Sequence, residues 1–386
     1  MPRCSYAHRA DVALVTPVDQ VHPVLRDRDG RPAGSWFDLH HHETGTDVET
    51  RWCGRVPGIT PNERFFVRNH TTAPAIDPET WRLVVTGDGV QQETVWSLAD
   101  LRRLGDVAAE VALECTGNGR RFFADQQGTP RPGTPWRSGA IGVARWSGVP
   151  LSSLLDHAGL RHDAVEVTPS GLDDPYVVDG VDHGRVRRPL PLAKATDDVL
   201  VALEMNGEPL PLDHGFPARL VVPGWVGIAS IKWLGELRVT RTEVDSPWNT
   251  LWYRMRGAGW NAETSALGRL PVKSVLDEHG DPVAGTESRL AGRAWSGEAA
   301  IERVEVSIDG GTTWRTAELH GDNRPSGWTR WELAWTPDIA GDHGVRVRAT
   351  DTTGRTQPDL AADNDDGYLF DAVLCHQVRV AEPPPR

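Results

Sequence analysis

Cysteine is scarce in this sequence, and its four copies lie far apart. They are Cys4, Cys53, Cys115 and Cys375, and none forms a CxxC pair, so a structural zinc knuckle is not expected. A chain of 386 residues can bury well-filled cores without the help of disulfides. We therefore expect a cytoplasmic protein with reduced thiols.

Long apolar runs and an excess of positive charge are also missing. No run approaches the ~20 residues that a helix needs to cross a bilayer, and residues 1–10 lack the apolar core of a secretion signal. The net charge is -13, which argues against a nucleic-acid or anionic-membrane partner. An anionic substrate would need a local basic pocket within this acidic protein.

The composition otherwise favours a globular protein that is built mainly of short strands. Hydrophobic residues make up 39% of the chain, while Gly 39 and Pro 29 supply many turns. The length permits two or three domains. We predict an α+β fold that is mostly β, with an irregular segment at 1–55, a main domain at 56–261 and a β-sandwich at 262–386.

One cluster of metal-binding side chains stands in the N-terminal segment. It is His40-His41-His42-Glu43. Neighbouring residues point in different directions in a helix or a strand, so adjacent histidines seldom bind one metal together. We interpret the cluster as part of a solvated loop.

The central feature of the main domain is a cysteine at the end of an apolar run. A buried strand is predicted at 111–113 and delivers Cys115, after which two glycines permit a tight turn. Arg120 and Arg121 place positive charge near the sulfur, which favours the thiolate, a soft metal ligand. The alternative is a small buried hydrophobe, the usual role of a lone cysteine on an apolar strand.

Polar side chains elsewhere indicate a cleft. A short buried strand is predicted at 65–67 and ends on Arg68, Asn69 and His70. Three polar residues at the end of a buried strand either line a cleft or form a helix cap or structural salt bridge. The sequence alone favours these two interpretations equally. Trp136 is either a pocket wall or an ordinary core residue.

A second, basic stretch surrounds the glycine-bearing loop at 223–227. His214, Arg219 and Lys232 bracket this loop. A histidine and two cations around glycine-flanked backbone form a reasonable cradle for a phosphate.

Local patterns also predict regular elements. Ser97 and Asp100 approximate a capping box at a helix start, and a short amphipathic helix is expected to end at Gly159. Beyond residue 262, apolar and polar residues alternate around turns such as Asp309-Gly310-Gly311. Several short alternating strands of this kind favour an antiparallel β-sandwich.

Four blocks, taken in order, make the sequence resemble the sulfite oxidase family of molybdopterin-dependent oxidoreductases. They are Phe65-Phe66-Val67-Arg68-Asn69-His70, Glu114-Cys115-Thr116-Gly117-Asn118, Glu204-Met205-Asn206-Gly207, and Asp213-His214-Gly215-Phe216-Pro217 through Lys232-Trp233-Leu234-Gly235. The turn at 307–311 and the following Thr313-Trp314 look like the family's dimerisation domain. The resemblance implies a sulfite-oxidase-type molybdopterin-binding catalytic domain, followed by an immunoglobulin-like β-sandwich.

The resemblance also implies a cofactor, Mo-molybdopterin. Its molybdenum would be held by one pyranopterin dithiolene, two oxygen ligands and the sulfur of Cys115. Matching positions that would hold the pterin and its phosphate are Phe65, Phe66, Val67, Arg68, Asn69, His70, Asp173, His214, Arg219, Ser230, Ile231 and Lys232. The alignment is loose around Asp173, which has Asp174 as its neighbour. Arg68, Arg120 and Trp136 match positions that line the family's oxyanion pocket.

The implied reaction is oxygen-atom transfer, in which sulfite is oxidised to sulfate. No haem domain is visible, so the electrons are expected to pass to an external acceptor. Two positions depart from the family pattern: Leu203 stands where a tyrosine is expected, and Tyr368 stands, in a loose alignment, where an arginine is expected. A less basic pocket leaves open an organic sulfur compound, a sulfoxide or nitrate as the substrate.

Two further hypotheses concern partners. The tryptophan-rich strands of the sandwich would suit a homodimer, because a leftover apolar face favours a symmetric partner. A non-catalytic binding protein with a sandwich interaction module is the alternative from another functional class. That alternative predicts no bound molybdenum and tolerance of Cys115→Ser.

Overall fold

The computed structural model describes residues 37–42, 45–52, 54, 56–105, 107–261 and 266–384. Predictions about residues 1–10, Cys4 and Cys53 lie outside the described residues, and the predicted boundary at 262 falls in the gap at 262–265. The domain limits therefore stay predictions. Within the described ranges, no helix is long and apolar enough to cross a membrane.

Strands dominate the described residues. They are β1 (Phe37–His42), β2 (Gly45–Thr50), β3 (Arg82–Thr86), β4 (Thr94–Ser97), β5 (Val107–Glu114), β6 (Ile141–Pro150), β7 (Glu166–Gly171), β8 (Val177–Val178), β9 (Val181–Asp182), β10 (Leu190–Pro191), β11 (Leu200–Met205), β12 (Glu208–Pro209), β13 (Arg219–Val221), β14 (Leu234–Thr240), β15 (Lys273–Glu278), β16 (Ser288–Trp295), β17 (Ile301–Ser307), β18 (Arg315–Thr316), β19 (Glu318–His320), β20 (Trp328–Trp335), β21 (Gly341–Asp351) and β22 (Cys375–Val380). The helices are short: α1 (Leu98–Arg103), α2 (Arg121–Gln127), α3 (Leu151–Ala158), α4 (Leu192–Asp197) and α5 (Pro247–Thr250), with 3-10 turns at Asn62–Arg64, Leu212–His214 and Gly227–Ala229.

Two larger sheets are built from strands within residues 82–240, beside the two-stranded sheets β1–β2 and β8–β9. One has the strand order β10–β7–β14–β3–β4, in which β14 runs parallel to β3 and the other pairs are antiparallel. The other has the order β12–β11–β6–β5, and β13 also pairs with β11. Short helices such as α3 bury their apolar face in the main core beside these sheets.

The C-terminal part is a sandwich of two four-stranded sheets, as the alternating pattern predicted. Their orders are β15–β16–β20–β19 and β18–β17–β21–β22, and all pairs are antiparallel. Val304 and Val306 of β17 are buried in one core with Val345 and Val347 of β21. Alternate side chains of a strand point to the same face, so a period of two places them between the sheets.

A cluster of aromatic residues joins the two halves. Trp52 and Ala112 pack in one cluster with Val275, Trp295 and Trp328 of the sandwich. The rings of Trp52 and Trp328 meet edge to face, with centroids 5.6 Å apart. Because Ala112 belongs to β5, the sandwich packs against the strand that leads to Cys115.

The prediction of an irregular segment and a histidine loop is wrong for residues 37–42 and 45–50, which are strands, although His41 and His42 are exposed as expected. β1 and β2 form an antiparallel hairpin that contains His40, His41 and His42. Val48 of β2 is bridged to Val67, with backbone N···O distances of 2.8 and 2.9 Å. The sequence of this polar stretch does not alternate between apolar and polar residues, so it gave no sign of a strand. Its burial comes from contacts with segments that are distant in the sequence.

The segment 65–67 differs from the prediction in a smaller way. It is buried and extended as expected. It does not form a full strand, however, and pairs only through the isolated bridge between Val67 and Val48. Local capping is confirmed at α1, where Ser97 and Asp100 form a capping box. The predicted end of α3 at Gly159 is also confirmed.

Candidate active site

Cys115 follows β5 directly, and the backbone around it is fixed on both sides. Its amide donates to the carbonyl oxygen of Ala140 at 2.9 Å, and its carbonyl accepts from the amide of Asn118 at 2.9 Å. In the next turn Gly119 has a φ of 92°, and a Cβ there would lie 2.9 Å from Cβ of Phe370. Glycine is therefore required for the chain to turn at this point.

Glu114 connects this turn to the sandwich. Its buried carboxylate accepts from Asn118 Nδ2 at 2.8 Å, Lys273 Nζ at 2.7 Å and Trp295 Nε1 at 2.9 Å. Lys273 and Trp295 belong to β15 and β16, so sandwich residues hold the side chain that immediately precedes Cys115. The sequence contained no signal for this contact because its partners are more than 150 positions apart.

Cys115 lies where two concave spaces meet, and Arg68 and Tyr253 also line both. The inner cavity encloses about 750 Å³ and extends to His214 and Lys232. The outer cleft encloses about 1120 Å³ and opens beside the β1–β2 hairpin. A thiol at such a junction can contact a group in the inner cavity and a small molecule in the cleft.

The inner cavity is strongly basic. The Arg219 guanidinium donates to the carbonyls of His214 and Ser230, each at 3.0 Å, and the Lys232 ammonium donates to the carbonyl of Asp213 at 2.8 Å. Burial lowers the pKa of Arg219 to about 9 and is the main cause that lowers the pKa of Lys232 to about 7 and of His214 to about 3. An anion bound in the cavity would favour the charged forms of these groups.

Most residues predicted to bind the cofactor line the inner cavity. They are Phe65, Phe66, Arg68, His70, Asp173, His214, Arg219, Ser230, Ile231 and Lys232. Asp173 is buried and accepts from Thr71 Oγ1 at 2.7 Å, whereas Asp174 is exposed. The structure thus places Asp173, of the two neighbours, on the wall.

Val67 and Asn69 lie behind this wall. Val67 is bridged to Val48 through its backbone. The Asn69 amide oxygen accepts from Lys232 Nζ, and its amide nitrogen donates to Asp213 Oδ1 at 3.1 Å. These two residues therefore support lining residues rather than line the cavity themselves.

The outer cleft brings together Arg68, Arg120 and Trp136, as predicted. The Arg120 guanidinium donates to the carbonyl oxygens of Asp366 and Thr134, both at 2.9 Å. Trp136 is fully buried, so it is both a core residue and part of the cleft wall.

Charge around the sulfur differs from the prediction. Arg121 is exposed at the start of α2, and Arg68 takes its place as the second arginine near Cys115. Burial raises the pKa of the Cys115 thiol, although Arg68 and Arg120 act to lower it. The predicted net preference for the thiolate is wrong for the cofactor-free chain, because desolvation outweighs the two charges.

Sequence reasoning missed Tyr253. Its hydroxyl lies 3.0 Å from His70 Nε2, and its ring stacks on Tyr368 with centroids 5.4 Å apart. The available signal was the density of aromatic residues just before the predicted boundary, where Trp248, Trp252 and Tyr253 fall within a short stretch.

The two departures from the family pattern have different outcomes. Tyr368 lines the outer cleft, as supposed. Leu203 lies in the main core cluster, while its strand neighbour Ala202 faces another cluster. The prediction that Leu203 alters the pocket is wrong, because alternate residues of β11 face opposite sides of the sheet.

The hairpin supplies a wall that the sequence did not predict. Asp47 of β2 is fully buried. Its Oδ1 lies 3.4 Å from His42 Nε2, and its Oδ2 lies 3.6 Å from Arg68 Nε. Thr134 Oγ1 also donates to Asp47 Oδ2 at 2.6 Å. Arg68 therefore has a carboxylate partner of its own.

Comparisons with known proteins agree with the two halves of the chain. Residues 70–248 match the model of an oxidoreductase molybdopterin binding domain. Residues 265–380 match the model of a Mo-co oxidoreductase dimerisation domain. The crystal structure of the sulfane dehydrogenase SoxCD from Paracoccus pantotrophus is similar, with a TM-score of 0.79 and 27% identity over 95% of this chain and 97% of that one.

Relatives among characterised sequences include sulfite oxidases and, at lower identity, plant nitrate reductases. The mitochondrial sulfite oxidase of Homo sapiens is 39% identical over 349 residues, which are 84% of this chain and 62% of the human protein. The sulfite oxidase of Gallus gallus is 38% identical over 326 residues, which are 79% of this chain and 69% of the chicken protein. The chain thus spans less than two thirds of the human relative.

The described residues fit a phosphate-bearing pterin with a metal at one end. The inner cavity holds three basic groups whose burial calls for an anion, and His214 Nε2 is buried in it without a hydrogen-bond partner. Thr116 Oγ1, also on this wall, is buried and unsatisfied as well. Cys115, at the junction of cavity and cleft, offers the soft sulfur ligand.

Proposed function

Because the chain belongs to the sulfite oxidase family of molybdopterin-dependent oxidoreductases, we propose that it oxidises sulfite to sulfate and passes the electrons to an external acceptor. The observation that carries this proposal is the position of Cys115, between a basic cavity that reaches His214 and Lys232 and a cleft lined by Arg68 and Arg120. Cys115 would hold the metal of the family cofactor, Mo-molybdopterin, and the cations of the inner cavity would hold its phosphate.

We assign the cofactor contacts to the walls of the inner cavity. Arg219, Lys232 and Ser230 would hold the phosphate, His214 and Asp173 would contact the pterin, and Cys115 would ligate molybdenum. When bound, the cofactor supplies the redox chemistry of oxygen-atom transfer. A bound phosphate would also restore the charge of the buried Lys232, because an adjacent anion favours the protonated amine.

The cleft residues act on the substrate. Arg68 and Arg120 would attract an anion and orient it toward Cys115, in a partly dry pocket where such contacts are stronger than in water. Tyr253 would donate its single hydroxyl proton to the substrate while its oxygen accepts a hydrogen bond from His70 Nε2. Fully buried Trp136 keeps this wall rigid and excludes water from behind it.

Partners and location belong to the same proposal. The match of residues 265–380 to a dimerisation domain supports a homodimer, and light scattering at micromolar concentration would show a monomer if that idea is wrong. Several relatives are named as mitochondrial, so the cytoplasmic location stays a prediction that cell fractionation would test.

The proposal is tested by elemental analysis and one assay. The purified protein, from a host that makes the cofactor, should contain near-stoichiometric molybdenum and reduce ferricyanide when sulfite is added. Cys115→Ser should abolish sulfite turnover, whereas Cys375→Ser, which changes an exposed cysteine, should not. Molybdenum without sulfite turnover would contradict the substrate, and absence of molybdenum would support the non-catalytic alternative.

A further inference from the structure

Given the proposed oxygen-atom transfer, on which this inference rests, we propose that the preferred substrate is an organic sulfinate. Such a compound, R–SO2⁻, carries one negative charge and an apolar group R. It shares with sulfite a sulfur lone pair that can accept an oxygen atom. The outer cleft has separate surfaces for the two ends of this molecule.

The charges that line the cleft suit a monoanion better than a dianion. Of the two guanidinium groups that line the cleft, Arg68 faces the carboxylate of Asp47, whereas Arg120 contacts only a backbone oxygen of Asp366. Asp47 is fully buried 3.6 Å from Arg68, and Asp366 is bound by Arg256 at 2.8 Å. Much of the charge on Arg68 is therefore already offset before any substrate arrives.

Tyr368 reinforces this balance. Its ring stacks on Tyr253, with an angle of 12° between the ring planes, and the Arg120 guanidinium lies over it, 5.5 Å from the centroid. A phenol at this point adds no positive charge to the cleft. It instead places an aromatic ring, rather than another cation, beside the arginine that would hold the anionic end.

A second aromatic pair extends the same wall. Tyr176 and Trp252 meet edge to face, with centroids 5.6 Å apart, and both line the cleft with Tyr253 and Tyr368. These four aromatic side chains extend the cleft beyond its two arginines, whereas sulfite has only four heavy atoms. Aromatic rings in this position favour a substrate with an aryl or alkyl group.

The reaction balances with the electron acceptor already proposed. The sulfinate sulfur gains one S–O bond, so that R–SO2⁻ and H2O give R–SO3⁻, two protons and two electrons. The water provides the added oxygen, and the C–S bond stays intact. Two molecules of a one-electron acceptor such as ferricyanide take the electrons.

The first test compares substrates with the molybdenum-loaded, full-length protein. We expect kcat/KM for benzenesulfinate to exceed that for methanesulfinate about tenfold or more, since a pocket that fits an apolar group discriminates between substrates by this order. We also expect kcat/KM for benzenesulfinate to exceed that for sulfite. Sulfite turnover with neither sulfinate oxidised faster would overturn this inference and leave the proposed function intact. If the molybdenum-loaded protein oxidises none of the three compounds, both this inference and the proposed function are overturned.

Two variants ask whether the named residues set this preference. Tyr368→Arg adds a cation and removes an aromatic face, while Asp47→Asn frees the charge of Arg68. Each should move the ratio of kcat/KM for benzenesulfinate over sulfite toward sulfite, whatever its effect on overall activity. Asp38→Asn, which removes a carboxylate from the same hairpin where it pairs with Arg51, should leave the ratio unchanged. A ratio that Tyr368→Arg and Asp47→Asn leave unchanged would overturn the inference.

Discussion

Replacing Lys273 by methionine would test whether the sandwich holds the Cys115 turn in place. Lys273 Nζ lies 2.7 Å from Glu114 Oε1, and the two side chains are 8% and 1% exposed. At an effective dielectric constant of about 20, the attraction between two unit charges at this distance is about 6 kcal/mol. The variant loses that attraction and leaves a buried carboxylate with the donors of Asn118 and Trp295 alone. We expect a loss of about 3–5 kcal/mol in the free energy of unfolding.

Urea unfolding, followed by tryptophan fluorescence, measures this loss. The double variant Glu114→Gln/Lys273→Met should regain part of it, because no uncompensated charge stays buried. Asp342→Asn is the control, since it breaks the pair with Arg379, in which the side chain of Asp342 is 62% exposed and that of Arg379 is 74% exposed. It should cost at most about 1 kcal/mol. A Lys273→Met variant that differs from wild type by no more than this control would refute the reasoning.

Three further outcomes follow from the structure. In the cofactor-free chain, the pKa of Lys232 is about 7 against 10.5 for an ordinary lysine, so the unfolded state binds more protons between these values. Urea midpoints should therefore rise from pH 7 to pH 9, and much less so in Lys232→Met. Leu203→Ala should destabilise the protein by about 2–5 kcal/mol without changing the KM for sulfite; a changed KM with full stability would contradict its place in the core. Ser97→Ala should cost about 1 kcal/mol, and an unchanged urea midpoint would count against the observed cap.

Features that depend on neighbouring residues could be predicted well. The capping box at Ser97, the end of α3 at Gly159 and the strand before Cys115 each have a cause within a few positions. In the last third of the chain, apolar and polar residues alternate because each strand buries one face. This pattern predicted the sandwich. The histidine hairpin could not be recognised in this way, because contact with the segment 65–67 stabilises it.

By itself, the sequence determined which chemical groups are present and the order in which they occur. It placed Cys115 at a strand end before a turn that needs glycine, and it supplied His214, Arg219 and Lys232 around a second loop. Only the tertiary structure decided which groups meet. It turned Leu203 into the core and Tyr253 into the cleft, paired Asp47 with Arg68, and bound Glu114 to Lys273. Burial also outweighed the effect of the arginines on the pKa of the Cys115 thiol, since desolvation and charge pairing depend on distances in space rather than on separation along the chain.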